Sequence, residues 1–154
     1  MIARRALPDD DHVSRYIPKN RQWRDDSDQY LGLTLAGFAL RPKDAGGLSV
    51  TWIERFGEYG HEAKRSAALA YRESLDSKDL KKSALFAYAQ VARIKRAATD
   101  YGKAIRIVTD PVDGNEGHAE VRHFTDDDLR LLTLLATDVF GEVDFVAEMH
   151  LPAR

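Results

Sequence analysis

Three groups of polar side chains in this sequence have types and spacings that could support chemistry. The first group is His12, Arg15 and Lys19. A histidine can act as a general acid or base near neutral pH, and an arginine can hold a phosphate or carboxylate through two parallel hydrogen bonds. A strand would place His12 and Ser14 on one side and Arg15 on the other, so His12 and Arg15 share a site only where the strand ends, twists or bulges. An edge-strand histidine beside a solvent-exposed or ion-paired arginine is the alternative interpretation.

The second group lies in one loop and is rich in oxygen donors. Its members are Asp110, Asp113, Asn115, Glu116 and His118. Oxygen ligands at short spacing can hold a hard cation such as Ca²⁺ or Mg²⁺, but their order here does not follow the EF-hand pattern. Asp-Gly and Asn are also the residues that a hairpin turn needs. We therefore predict a turn, with His118 as a candidate catalytic or ligand-binding residue, and no metal site.

The third group surrounds Trp52 and consists of Ser49, Thr51 and Glu54. Such residues beside a strand could line a nucleotide pocket, and the arrangement is loosely similar to ADP-ribosyltransferase-like sites, although the later Glu motif of those sites is not evident. Trp52 itself is more typical of a core position than of a stacking platform. The sequence has no Gly-rich phosphate loop and no Gly-x-Ser-x-Gly elbow. It also has no cysteine, which excludes disulfides, thiolate metal sites and cysteine nucleophiles, and we expect no cofactor.

The elements that must position these groups follow from hydrophobic periodicity. Residues alternate as in strands, or are rich in Ile and Val, in five stretches: His12–Ile17, Leu48–Ile53, Ala104–Val108, His118–Phe124 and Val143–Met149. A further short strand is predicted at Phe38–Leu40, and Leu80–Gln90 is ambiguous between strand and helix. Helical spacing predicts helices over His61–Leu75 and Val91–Gly102, and a third that is capped by Thr125 and ends at Gly141. Lys19–Gln29 is predicted as a loop, Arg41–Gly47 as a turn, and Asp113-Gly114 as the turn of a hairpin.

The mixed order of these elements favours an α+β fold over regular βαβ units. We predict a small mixed, mainly antiparallel sheet packed by about three helices, in a single domain over residues 11–154 behind a polar N-terminal arm of residues 1–10. The chain has 154 residues, 44% of them hydrophobic and 31% charged, as in ordinary globular domains. No stretch resembles a signal peptide or a membrane span. A cytoplasmic location and no membrane contact are therefore expected.

Charge is unevenly distributed along the chain, although the net charge is only −2. Basic residues dominate from Lys78 to Arg106, and acidic residues dominate from Asp110 to Glu148. The two regions could neighbour and compensate each other. Alternatively, the basic region forms a face that meets a phosphate-bearing or acidic partner.

Four stretches together resemble a family of small bacterial hypothetical proteins. They are HVSRY at 12–16, FALRPKD at 38–44, LSVTWIE at 48–54 and NEGHA at 115–119. The resemblance covers most of residues 11–140. It implies a bacterial origin and a single domain, and it implies no activity or cofactor.

Three functional classes remain open from the sequence. The first is a protein-interaction or accessory domain without chemistry of its own, with Tyr16, Trp23 and Tyr30 on a contact surface. The second is a small metal-independent enzyme acting on a phosphodiester or nucleotide, with His12 and His118 as acid and base and with Arg15 and Lys19 stabilising negative charge. The third is a small-ligand sensor. Candidate ligand contacts are Lys19, Ser49, Glu54 and Asn115. The expected partner is a protein bound through a basic or aromatic face, with nucleic acid or a nucleotide as the alternative; a homodimer formed through an exposed sheet edge is compatible with the sequence.

Overall fold

Alternating side chains on the central strands divide the protein into layers. In the computed structural model, which describes residues 4–40, 47–76, 78–122 and 128–154, Val13 and Ile17 are fully buried on one face of the first strand. The other face of that strand carries His12, Ser14 and Tyr16. Helices cover the two faces of the sheet unequally, and this difference shapes the candidate site described below.

The described elements follow one another in a mixed order. The strands are β1 (His12–Ile17), β2 (Gln22–Arg24), β3 (Tyr30–Leu33), β4 (Gly47–Trp52), β5 (Leu85–Gln90), β6 (Arg106–Thr109), β7 (His118–Arg122) and β8 (Glu142–Phe145). The α-helices are α1 (His61–Glu73), α2 (Val91–Asp100), α3 (Leu129–Leu134) and the short α4 (Val146–Met149), with α3 continuing as a π-helical turn over Leu135–Val139. Short 3₁₀ helices occur at Lys19–Arg21, Leu35–Phe38 and Ile53–Phe56.

Six strands form one sheet in the order β6-β7-β4-β1-β5-β8, and β2 pairs with β3 in a separate hairpin. Every strand pair in both sheets is antiparallel. The predicted α+β fold with a mainly antiparallel sheet and about three main helices is confirmed. The residues of the first sheet that face α2 and α3 form the larger core cluster with those helices, whereas α1 packs on the opposite face over Phe86 and Tyr88.

The first residues of the described chain lie along the outer edge of the sheet. The amide of Leu7 donates to the carbonyl of Ile107 at 3.0 Å, and Leu7 is only 4% exposed. The amide of Thr109 donates to the carbonyl of Arg5 at 2.8 Å. This part of the predicted polar arm therefore covers the edge of β6 with main-chain hydrogen bonds.

Several local predictions are confirmed, and others are wrong. β1, β4, α1, α2 and the β6–β7 hairpin form close to where the periodicity placed them. The predicted loop at Lys19–Gln29 instead contains a 3₁₀ turn and β2, and the predicted strand at Phe38–Leu40 is wrong because Leu35–Phe38 is 3₁₀-helical. The final predicted strand ends at Phe145, where the chain turns into α4. Residues 41–46 of the predicted Arg41–Gly47 turn and the predicted cap Thr125 lie outside the described residues.

Candidate functional site

A cleft of about 430 Å³ lies on the α1 face of the sheet. This is the face that carries Ser14, Thr51 and His118, which lie side by side across β1, β4 and β7 in the pairing register. Helix α1 covers the part of this face over β5, and the loop between β6 and β7 borders it on the far side. The cleft opens between these two boundaries, over a floor of strand residues.

Polar and apolar side chains share the lining of this cleft. The described lining residues are Ser14, Arg15, Tyr16, Pro18, Arg21, Ser49, Val50, Thr51, Tyr71, Ser74, Leu75, Phe86, Val112 and His118. The aromatic members pack against one another: the rings of Tyr16 and Tyr71 stack with centroids 5.1 Å apart. A mixed lining of this kind, with a few convergent polar groups among apolar ones, is typical of small-molecule sites.

The floor of the cleft exists because β1 and β4 diverge. The two strands, which are described in full, pair at Val13–Trp52 and Ser14–Thr51, and no pairing continues toward Ser49. The side chain of Arg15 fills the gap. Its Nη1 donates to the carbonyl of Ser49 at 2.8 Å, and its Nε donates to the carbonyl of Gly37 at 2.8 Å.

One wall of the cleft depends on the Asp110–Gly117 loop, which Asn115 holds from inside. Asn115 is completely buried, its Nδ2 donates to Oγ1 of Thr51 at 3.0 Å, and its Oδ1 accepts from the amide of Gly117 at 3.0 Å. Gly114 has φ +87°, and a Cβ there would lie 2.8 Å from the main chain of Glu73. Only glycine therefore lets the loop approach the end of α1 so closely.

Ser14 is the most informative polar residue of the floor. It is 3% exposed, and no group in the described part of the chain forms a hydrogen bond with its hydroxyl. Among the described residues, the fully buried polar side-chain atom that lacks a partner is Nε of Arg72, so the Ser14 hydroxyl oxygen, which also lacks one, keeps contact with the open cleft. Because Ser14 lines the cleft, a ligand oxygen or a water there would complete its hydrogen bonding.

The tautomer of His118 is determined by its neighbour. Nδ1 of His118 lies 2.7 Å from the main-chain oxygen of Asp110, which can only accept, so Nδ1 carries the proton. The Oδ2 of Asp110 lies 3.4 Å from the same nitrogen. Nε2 is therefore the ring nitrogen that can exchange a proton or bind a ligand group.

His12 belongs to a different cluster on the same face of the sheet. Its Nδ1 and its main-chain amide contact the two carboxylate oxygens of Glu54 at 2.7 Å and 2.8 Å. Its ring stacks on Tyr59, with centroids 3.6 Å apart and planes 11° apart. In the pairing register, His12 lies two strands away from His118 and two residues further along. Ideal strand spacings then place the two Cα atoms roughly 12 Å apart. His12 is not among the described residues that line the cleft.

The half-buried Tyr59 and the buried Tyr88 continue this second cluster toward β8. The Tyr59 hydroxyl donates to Glu142 at 2.5 Å, and the Tyr88 hydroxyl donates to Asp144 at 2.9 Å. Burial, together with these acids, raises the pKa of both tyrosines. Burial also acts to raise the pKa of Glu142, but hydrogen bonds from Tyr59 and Lys64 outweigh it, and the pKa is lowered. The cluster is a network of satisfied groups that ties β1 and β8 to α1.

The structure brings together only some of the predicted site residues. Arg15, Ser49 and His118 line the cleft, and Asn115 supports it from behind. The remaining candidates lie elsewhere, because Lys19 pairs with Asp28 at 2.6 Å on the surface and Glu54 pairs with His12. Among the described residues, no group of three or more acidic or histidine side chains could hold a metal ion.

Sequence reasoning missed the contributions of Arg21, Tyr71 and Val112 to the cleft. Arg21 lies in the stretch Lys19–Gln29, which the sequence predicts as a loop, and Tyr71 lies within the predicted helix His61–Leu75. Val112 carried no functional signal of its own. No local pattern could have identified these residues, because they meet only through the arrangement of the sheet, α1 and the loops.

Fold and cleft together define an α+β domain with an antiparallel sheet and a small-molecule-sized cleft on one face. Searches against protein-family models, curated proteins and solved structures found no match for this chain. The resemblance to small bacterial proteins therefore stays a prediction. Of the described helices, none combines the length and the apolar character that a membrane crossing requires.

Proposed function

We propose that this protein binds a small organic ligand in the cleft and acts as a ligand sensor without chemistry of its own. The observation that carries the proposal is the Ser14 hydroxyl on the floor of the cleft, which has no hydrogen-bond partner in the described chain and is open to the cleft. The volume of about 430 Å³ lies within the usual range for sites that enclose small molecules. The mixed lining would hold the apolar part of a ligand and orient its polar part.

This function is favoured over phosphodiester cleavage by His12 and His118. A two-histidine mechanism needs both rings within reach of one substrate. In the described structure β4 lies between the strands that carry them, and the ring of His12 is engaged by Glu54 and Tyr59. Only His118 lines the cleft.

The test is a ligand-detected NMR screen of a diverse small-molecule library, using the full chain. The blocking variant is Val112→Trp, because Val112 lines the cleft mouth and is 41% exposed, so a larger side chain there can be accommodated without disturbing the core. Val112→Ala is the matched control. We expect hits that bind the native protein and Val112→Ala and are lost in Val112→Trp. Absence of hits, or hits that bind Val112→Trp equally well, would contradict the proposal.

A second candidate function is contact with a partner protein through the β2–β3 hairpin. Trp23 is 56% exposed and Leu31 is 45% exposed there, and exposed large apolar side chains on one element can mark a protein contact. The contact surface predicted from the sequence also included Tyr16 and Tyr30. In the structure, Tyr16 is half-buried against Tyr71, and Tyr30 packs edge-on against Phe145. Trp23 and Leu31 would therefore provide the contact.

Trp23→Ser tests this second candidate, with Leu129→Ser as a control of equal exposure on α3. Both native residues are 56% exposed, so neither change should disturb folding. A specific partner that is cross-linked by the native protein and by Leu129→Ser, but not by Trp23→Ser, would support the hairpin contact. A partner retained by both variants would contradict it.

A further inference from the structure

We propose that the free edge of β8 binds an extended peptide segment of a partner protein as a further antiparallel strand, and that this segment carries basic side chains at alternate positions. The surface is separate from the cleft, so the inference does not depend on the small-ligand function. Its starting point is a difference between the two edges of the six-stranded sheet. Residues 5–7 cover the β6 edge with main-chain hydrogen bonds, whereas β8 pairs with β5 and with no other described strand.

The pairing register shows which main-chain groups of β8 point away from β5. The amide of Val146 donates to the carbonyl of Ala84 at 3.0 Å, and the direction of hydrogen bonding alternates along an antiparallel strand. The even-numbered residues of β8 therefore bond to β5. Val143 and Phe145 direct their amides to the other side, toward the free edge.

These outward groups have no partner in the described part of the chain. Val143 offers an amide and a carbonyl there, and Phe145 offers an amide, while the carbonyl of Phe145 begins the first turn of α4. β8 contains no proline, no lysine and no register shift, which are devices that commonly block an edge. An unpaired edge of this kind is a template for strand addition.

The α1 face of this edge favours a basic partner. Glu142 and Asp144 lie on that face, where Lys64 pairs with Glu142 at 3.1 Å. Asp144 accepts from the Tyr88 hydroxyl at 2.9 Å, and no cation in the described chain forms an ion pair with it. Side chains directly opposite each other on paired strands attract when their charges differ and repel when they match. Lysine or arginine on the added strand would therefore lie opposite these acids.

The other face of the edge favours apolar side chains between the basic ones. Val143 and Phe145 are partly buried there and pack against the larger core cluster. Apolar residues of an added strand would cover them and extend that cluster. A second copy of β8 suits the edge less well, because pairing through Val143 would place Glu142 opposite Asp144 of that copy, with like charges facing each other.

The experiment measures the binding of defined peptides to the full chain by fluorescence anisotropy. The probe is a labelled peptide of four Lys-Val repeats with blocked ends. One control has four Glu-Val repeats, and the other has four lysines followed by four valines, with the same composition and charge as the probe but no alternation. We expect the alternating Lys-Val peptide to bind at least about tenfold more tightly than either control.

Methylated peptides test the main-chain hydrogen bonds without changing the protein. Directly opposite residues share a face, so the valines of the added strand would lie opposite Val143 and Phe145 and direct their amides toward β8. N-methylation of the valine amides should abolish binding. N-methylation of the lysine amides, which would point to solvent, should change the affinity by less than about threefold.

Variants of the edge test the same contact from the protein side. Val143→Pro removes the outward amide and leaves the ladder to β5 intact, so it should weaken the probe about tenfold or more, whereas Val143→Thr keeps the amide and should change affinity by less than about twofold. Asp144→Asn keeps an oxygen for the Tyr88 hydroxyl but removes the charge, and should weaken the probe about threefold. Asp113→Asn, an exposed change beyond the opposite edge, should have no effect.

Three results would overturn the inference. Equal binding of the alternating and block peptides would show attraction to charge alone. Binding of the valine-methylated peptide, or unchanged binding by Val143→Pro, would show that no strand is added. If the native protein and Val143→Thr are instead dimers by analytical ultracentrifugation while Val143→Pro is a monomer, the occupant is a second copy, and the basic peptide is wrong. None of these outcomes changes the Val112→Trp test of the cleft.

Discussion

Arg15 donates from Nη1 to the carbonyl of Ser49 at 2.8 Å, at the point where the ladder between β1 and β4 has ended. A side chain thus supplies a donor where a continued ladder would supply a main-chain amide. Two neighbouring strands can therefore separate without leaving that carbonyl unsatisfied. The separation produces the floor of the cleft, so the same residue supports the fold and lines the site.

Replacing Arg15 is expected to destabilise the fold. Arg15→Met removes the donors to Gly37 and Ser49 in a position that is 8% exposed, and we expect a loss of about 2–4 kcal/mol in the free energy of unfolding. Urea unfolding followed by circular dichroism measures it. Arg55→Met is the control, because Arg55 pairs with Glu116 on the surface and should cost less than about 1 kcal/mol. Equal losses in both variants would contradict the role assigned to Arg15.

Asn115 is expected to be more important than its acidic neighbours in the loop. Asn115→Ala leaves Oγ1 of Thr51 and the amide of Gly117 without their buried partner, and should cost about 2 kcal/mol. Asp113→Ala, an exposed change in the same loop, should cost less than about 0.5 kcal/mol. Thermal unfolding of the two variants compares them directly. A larger loss for Asp113→Ala would show that the loop is held in another way.

Gly114 should be less replaceable than Gly102, although both have positive φ angles of +87° and +72°. In Gly114→Ala the new Cβ meets the main chain of Glu73 at 2.8 Å, whereas nothing lies within 4 Å of a Cβ at Gly102. We expect Gly102→Ala to lower the free energy of unfolding by about 1 kcal/mol, from backbone conformation alone. Gly114→Ala should lower it by at least about 2 kcal/mol. Chemical denaturation of both variants decides between them. Equal costs would mean that the loop does not pack against α1.

Tyr88 is expected to make the fold sensitive to alkali. Burial, followed by the nearby Asp144 carboxylate, raises the pKa of Tyr88 above its ordinary value. Because the raised pKa belongs to the folded state, this stabilisation is complete below about pH 10, the unfolded pKa, and is lost as the pH rises through the folded-state pKa. Tyr88→Phe should therefore be less stable than the native protein at pH 7, but it should lose less stability than the native protein when the pH is raised to about 11. Tyr101→Phe, at a position 42% exposed, should follow the native pH dependence.

The two histidines should respond differently to ligand. His118→Ala should weaken binding in the cleft severalfold, because His118 lines it, whereas His12→Ala should change affinity by less than about twofold. Isothermal titration calorimetry of both variants with a hit from the library screen measures the two affinities. A comparable loss in the two variants would restore the mechanism in which both rings act on one substrate.

The sequence alone determined the elements whose pattern is local. Period-two alternation identified β1 and β4, helical spacing identified α1 and α2, and Asp113-Gly114 identified the β6–β7 hairpin. These periodic patterns are visible in the sequence because each of these strands and helices presents one apolar face to a core cluster. The α+β class follows from their order along the chain.

Tertiary structure alone decided the elements without a local pattern. β5 is buried on both faces, so it shows no alternation and was ambiguous between strand and helix. The β2–β3 hairpin consists of strands of only three and four residues and is anchored by distant contacts, such as Tyr30 against Phe145. The chain turns into α4 after Phe145, although the alternation over Val143–Met149 predicts a continuous strand.

The candidate site depended still more on tertiary structure. The residue types suggested His12 and His118 as an acid–base pair, yet their strands are separated by β4. Arg15 and Arg21 lie six positions apart in segments with different predicted structures, and the fold brings both to the same segment, where they donate to the consecutive carbonyls of Gly37 and Ala36. Strand order and strand divergence arise from long-range hydrogen bonding and packing. Residue types therefore indicated which chemistry the chain could support, and only the fold determined which of those residues meet.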